Sequence, residues 1–189
     1  EGPLDMRMNR RATRSAEWYV NNWSEEQLAN AFHLYGELKN ARRFAAAIVK
    51  ARATAPITTV EQLLSAVSKL INPRKEKKEL AQLFQALRIV VNHEIEVLQS
   101  FLTQSLQVLK PGGRLVVITY HSLEDRLVKN FMRTGNLEGR VTQDFYGRNL
   151  SPFRLLTSKP TVADEEEVER NPRARSAKLR VAEKLPDNE

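Results

Sequence analysis

Tyr120, His121 and Ser122 follow directly on the β-branched run RLVVITY at residues 114–120, which places a phenol, an imidazole and a hydroxyl at the end of one strand. Side chains at the carboxyl ends of strands in open α/β sheets are well placed to orient a substrate or move a proton. Ser122 reads first as the cap of the following helix, with Asp125 as its capping-box partner, and second as a substrate contact. For His121 a structural hydrogen bond and a place lining a pocket stand level. Arg88 and Asn92 lie one turn apart on an otherwise apolar helical stretch, where polar groups need partners; anchoring between domains comes before substrate contact.

Arg173 and Arg175 flank Ala174 in the strand-entry segment NPRARS. They either bind phosphate or pair with the acids of residues 164–169. Arg7, Arg10, Arg11 and Arg14 form one basic set, and Arg42, Arg43, Lys50 and Arg52 another; both suit a polyanion, and both also suit a solvated face. Asp5, two residues after Pro3, is by itself a turn-former. The sequence has no cysteine, which removes disulfides, thiolate ligands and thiol chemistry, and its three histidines, at 33, 93 and 121, lack metal-ligand spacing.

The elements that must position these groups begin with helices. Ser24 and Gln27 form a capping box before Leu28, Phe32 and Tyr35, with Gly36 at the expected end. Ala41, Phe44, Ala45, Ile48 and Val49 mark a second helix; Thr58 and Glu61 open a third, which Asn72-Pro73 closes. Helical spacing then runs from Leu80 to Leu109, long enough to predict two helices broken near Asn92. After Lys110-Pro111-Gly112-Gly113 the character changes: residues 114–120 read as a strand of the kind buried in a parallel sheet, 123–133 as a helix, and 153–157 and 179–182 as strands. This is an α/β chain with too few strands for a full doubly wound sheet, so further strands are expected upstream of Glu1.

Unbroken apolar runs such as Leu115 to Ile118 are far below the roughly 18 residues of a membrane span, and a cytoplasmic protein with no membrane partner is expected. A net charge of +7 with pI near 9.8 favours a polyanionic partner.

Six segments, in order, narrow that reading: GPLDMRM (2–8), YGE (35–37), FQALRIVVNHE (84–94), LKPGGRL (109–115), HSLEDRLVK (121–129) and NPRARSAKLRVAEK (171–184). Together they resemble the MraW family of bacterial S-adenosylmethionine-dependent methyltransferases of small-subunit ribosomal RNA. The resemblance implies the C-terminal part of a Rossmann-like class I methyltransferase with an all-helical inserted domain. Residues 1–13 would link from the catalytic domain, 14–78 would be the insertion, and 79–189 the returning catalytic part. The family methylates the exocyclic amine of a cytidine, a poor nucleophile that has to be oriented and relieved of a proton.

By resemblance Asp5 and His121 are the catalytic candidates, and Arg88, Asn92, His121, Ser122, Arg173, Arg175, Arg42 and Arg43 the RNA-binding ones. The residues that hold S-adenosylmethionine are expected upstream of Glu1, and no glycine-rich strand-to-helix fingerprint occurs in the chain. The implied partner is small-subunit ribosomal RNA or the assembled subunit, and self-association of the fragment is expected from an incomplete sheet. Asn9 stands where the family usually has Asp, and the role of residues 134–152 is open. The other class in view is a noncatalytic basic RNA-binding or interaction module.

Overall fold

A computed structural model describes residues 2–186. They divide into two compact units that part between Glu94 and Ile95. The expected boundary was 78/79, but the helix that follows it packs its Leu83, Ala86, Leu87, Val90 and Val91 into the first core. Residues 2–13 also behave as core rather than linker, since Leu4 is fully buried.

The first unit holds α1 (Ala16–Asn22), α2 (Glu25–Leu34), α3 (Ala41–Arg52), α4 (Val60–Val67) and α5 (Glu76–Asn92). The box of Ser24 and Gln27 opens α2 as expected, whereas α4 begins one residue late: Thr59 and Gln62 form its box, and Thr58 only adds its N–H and hydroxyl to Gln62 Oε1. The helix α1 escaped the periodicity reading because seven residues are barely two turns, although Ser15 caps it. Phe32, Phe44, Leu28, Ile48, Leu63, Leu83 and Leu87 form the heart of the core. Each such side chain contributes about 1.5–3 kcal/mol by leaving water.

Gly36 is needed for a different reason than a left-handed cap. The positive φ falls on Glu37, at 54°, while a Cβ on Gly36 would sit 2.5 Å from the carbonyl oxygen of Gln82 and 2.8 Å from that of Phe32. Gly36 therefore lets the end of α2 approach α5. As expected, the long helical stretch breaks beside Asn92: His93 takes a left-handed conformation, φ 50°, between α5 and α6 (Glu94–Val108).

The second unit continues with β1 (Arg114–Thr119), α7 (Ser122–Thr134), β2 (Phe153–Leu155), α8 (Glu165–Arg170) and β3 (Lys178–Lys184). The three strands form an antiparallel sheet in the order β1-β3-β2, with Val116 opposite Val181 and Leu155 opposite Ala182. β1 is not buried on both faces, as its apolar run suggested. Leu115, Val117 and Thr119 face the core with Leu102, Val128, Phe131, Met132, Phe153 and Ala182, whereas Val116 and Ile118 are each 55% exposed. The acidic segment forms α8, capped by Asp164, whose side chain accepts from the Glu167 N–H; the first turn carries three glutamates suited to the helix dipole. NPRARS is a 3-10 turn, not an alternating strand entry.

Gly36→Ala should destabilise the first unit by about 1–3 kcal/mol, because both clashing atoms are backbone oxygens that cannot step aside. Urea unfolding followed by Trp18 and Trp23 fluorescence checks this; an unchanged midpoint would show that α2 and α5 can part at no cost.

Candidate functional site

The junction between β1 and α7 is built by its own residues. His121, not Ser122, is the N-cap: its Nδ1 accepts from the Glu124 N–H at 3.4 Å. Its Nε2 is buried, 3.3 Å from Glu124 Oε1, and makes no hydrogen bond. Glu124 Oε2 in turn accepts from the Tyr120 N–H at 3.0 Å. Burial pushes the Glu124 carboxyl up, yet the neighbouring imidazole and the Tyr120 amide outweigh it and hold the group below its ordinary value. Ser122 is the first residue of α7, exposed rather than capping.

Asp125 was expected to complete Ser122's capping box. Instead it turns to β3: Arg180 Nε and Nη2 donate to its two oxygens at 2.7 and 3.0 Å, and Lys178 Nζ lies 3.5 Å away. Both partners of the main pair are nearly buried, with side chains 11% and 12% exposed. The Arg180 guanidinium holds Asp125 ionised well into acid, against the opposing effect of burial.

In the first unit the segment GPLDMRM is a tied turn. Arg7 Nε and Nη2 grip the two oxygens of Asp5 at 2.6 and 2.9 Å, and Arg7 Nη1 reaches the Ala12 carbonyl. Those contacts lower the Asp5 carboxyl to about 2, so it is a weak proton acceptor. Asn92 clamps the same segment from α5, its Oδ1 accepting from the Met8 N–H at 2.7 Å and its Nδ2 donating to the Met6 carbonyl at 2.9 Å, where Met6 has a φ of 61°. Arg88 pairs with Glu94 at 2.8 Å. Both polar residues of the α5 stripe are thus anchors within the first unit. A cleft of about 460 Å³, walled by Met6, Met8, Ala81 and Phe84, opens beside them with Gln85 and Arg88 on its rim. Gln85 Nε2 is spent on the Tyr35 carbonyl.

The basic sets divide. Arg52 is structural, its Nη1 donating to the Val20 carbonyl at 2.7 Å, and Arg14 lies over the Trp18 ring at 4.1 Å. Arg42, Arg43 and Lys50 are exposed on α3, and Arg173 and Arg175 are exposed on either side of buried Ala174. Among the described residues no ion pair within 4 Å joins these five to an acid; the acids at 164–169 belong to α8 and leave the two arginines alone.

Neither strand-to-helix junction among the described residues, Tyr120-His121 between β1 and α7 or residues 156–164 between β2 and α8, contains a glycine, and the positive-φ glycines 112, 135, 139 and 147 lie elsewhere. The described residues therefore offer no glycine-rich cradle for a nucleoside cofactor.

The sequence profile of the MraW methylase family matches residues 1–185. The chain belongs to that family. Proteins named "Ribosomal RNA small subunit methyltransferase H" are similar to it: that of Phocaeicola vulgatus is 59% identical over 184 residues, that of Parabacteroides distasonis 58% over 185, and that of Porphyromonas gingivalis 52% over 190. The alignments take in 97–98% of this chain and 60–61% of those proteins, so the chain spans about three-fifths of the length of the curated relatives it matches.

Sequence reasoning missed Arg180 because strand alternation alone does not tell an outward arginine from one turned under a helix. The nearest signal was an acid at the fourth position of α7, one place beyond the acid of its capping turn. An aspartate with a depressed value stabilises the fold above its unfolded value and loses that contribution as pH falls through the folded one. Asp125→Asn should accordingly cost about 3 kcal/mol at neutral pH by leaving Arg180 unpaired, with the gap to the parent closing below the ordinary aspartate value of 3.8. Urea unfolding followed by circular dichroism across the acid range checks both; a gap that persists at the lowest pH would remove the ion pair as its cause.

Proposed function

We propose that this chain is the C-terminal portion of an S-adenosylmethionine-dependent methyltransferase that modifies the exocyclic amine of a cytidine in small-subunit ribosomal RNA. The observation that carries this is the family match along residues 1–185, with relatives of that name over 97% of the chain. The helical residues 14–78 fit an inserted domain whose core also takes in Leu4 and the inner face of α5. The open hydrogen-bonding edge of β1 and its outward Val116 and Ile118 fit a sheet that is larger in the whole protein, a Rossmann-like one in this reading.

The cofactor is held by residues outside this chain, where it supplies the electrophilic methyl group. This chain's residues bind and position. Arg173, Arg175, Arg42 and Arg43 take backbone phosphate, while Asp5, already saturated by Arg7, shapes the turn rather than accepting the proton. His121 and Glu124 fix the end of β1. No helix among the described residues is long and apolar enough to cross a membrane, in keeping with a cytoplasmic partner such as the ribosomal subunit.

The whole protein should transfer labelled methyl groups from S-adenosylmethionine to small-subunit ribosomal RNA at a cytidine amine, whereas calorimetry with this 189-residue chain should show no heat of S-adenosylmethionine binding. Absence of transfer overturns the reading; a micromolar dissociation constant for the chain alone overturns the placement of the cofactor. In the whole protein, Arg173→Ala with Arg175→Ala should lower the slope of log affinity for RNA against log salt by roughly 0.7 to 0.9 per lost phosphate contact. The set Arg42, Arg43 and Lys50, without structural Arg52, is the parallel measurement. Parental slopes in both would make these solvated faces.

A further inference from the structure

Residues 143–149 form a small hairpin held by its own hydrogen bonds. Gln143 and Asn149 are bridged antiparallel, the Asp144 N–H donates to the Arg148 carbonyl at 2.9 Å, and the Gly147 N–H donates to the Asp144 carbonyl at 3.0 Å. The Asp144 carboxylate accepts from the backbone N–H groups of Tyr146 and Arg148, both at 2.8 Å, and Gly147 supplies the left-handed turn at φ 78°. The feet of the loop rest on the second unit: a Cβ on Gly139 would meet Asn130, and one on Gly135 would meet Pro152.

This scaffold holds two aromatic rings in water. Phe145 is 97% exposed and Tyr146 80%, their rings 5.7 Å apart at 89°, with the Arg148 guanidinium 5.9 Å from the tyrosine ring. A single exposed apolar residue is ordinary. Two adjacent rings on a hydrogen-bonded tip, neither packed on the protein, are a presented surface.

The surroundings choose the partner. The loop itself carries exposed Arg140 and Arg148 against exposed Glu138, Lys129 and Arg133 are exposed on the preceding α7, and Asp144 is absorbed in the turn. Planar faces set among cations match unpaired nucleotides, whose bases stack on aromatic rings and guanidinium planes while phosphates meet the charges.

We propose that the tip of this hairpin, through Phe145, Tyr146 and Arg148, is a stacking site for unpaired bases of RNA. The inference rests on the RNA-directed function above and assigns to it a contact separate from the arginines already named. Stacking uses faces rather than base edges, so the site tolerates sequence, and the rigid turn lowers the ordering cost of binding.

Fluorescence anisotropy of a short labelled RNA without secondary structure, titrated with this chain, tests it. Phe145→Ala with Tyr146→Ala should lower affinity roughly tenfold or more while the salt slope stays parental, and Arg148→Ala should lower the slope. Phe145→Leu with Tyr146→Leu keeps apolar area but removes the π-faces, and should lose as much as the alanine pair. The thermal unfolding midpoint should not move, because both rings are solvated. Parental affinity in the alanine pair, retained affinity in the leucine pair, or no RNA binding by the parent each overturns the stacking site. So does weakened binding to assembled small subunits with unchanged binding to naked RNA, which would make the tip a protein contact. Methyl transfer by the whole protein is scored separately, so that a failed stacking site with intact transfer removes only this inference.

Discussion

A carboxylate and a guanidinium, each almost out of water, can stay there only together, and Asp125 and Arg180 impose that condition on the second unit. The pair ties the first turn of α7 to the central strand of the sheet, and Lys178 adds a second cation from the same strand. Everything at the end of β1 hangs from this tie. His121 and Glu124 belong to the turn of α7 that it fixes, and Tyr120 is held through Glu124. Arg180 is also the register partner of Val117, so a slip of β3 by one residue would unpair the ions as well as invert the strand.

The first unit meets a similar demand with neutral groups. The turn at residues 2–8 has backbone donors and acceptors that no regular element satisfies, and one asparagine side chain answers on both sides of Arg7, at Met6 and at Met8. Asp5, Arg7 and Arg88 then complete a closed set of partners. Groups that looked reactive in isolation are spent on shape. The side chains left to meet something else are the exposed arginines and the two rings at the hairpin tip.

What could be read in advance followed from local physics. The box of Ser24 and Gln27, the break beside Asn92 and the strand after Gly113 are all decided by residues near in sequence. Positions that depend on a distant neighbour were misread: Gly36 answers to the carbonyl of Gln82, Asp125 to Arg180, and the exposure of Val116 to what lies beyond the sheet. The cap at His121 was missed for a subtler reason, because an imidazole accepting hydrogen bonds does a hydroxyl's work one residue earlier. The aromatic pair at 145 and 146 lacked any periodic signal, and only its exposure separates it from core.

The order of strands along the chain has a consequence for synthesis. β1 and β2 do not pair with each other; both pair with β3, which follows them, and Arg114 finds its partner only at Glu183. A chain emerging amino end first can close the helical core of the first unit while β1 still lacks β3 along one edge. Val117, Phe131 and Phe153 then wait for Ala182. Such non-local closure is slow relative to helix formation, and the interval leaves one edge of an apolar strand unpaired beside the ribosome that made it.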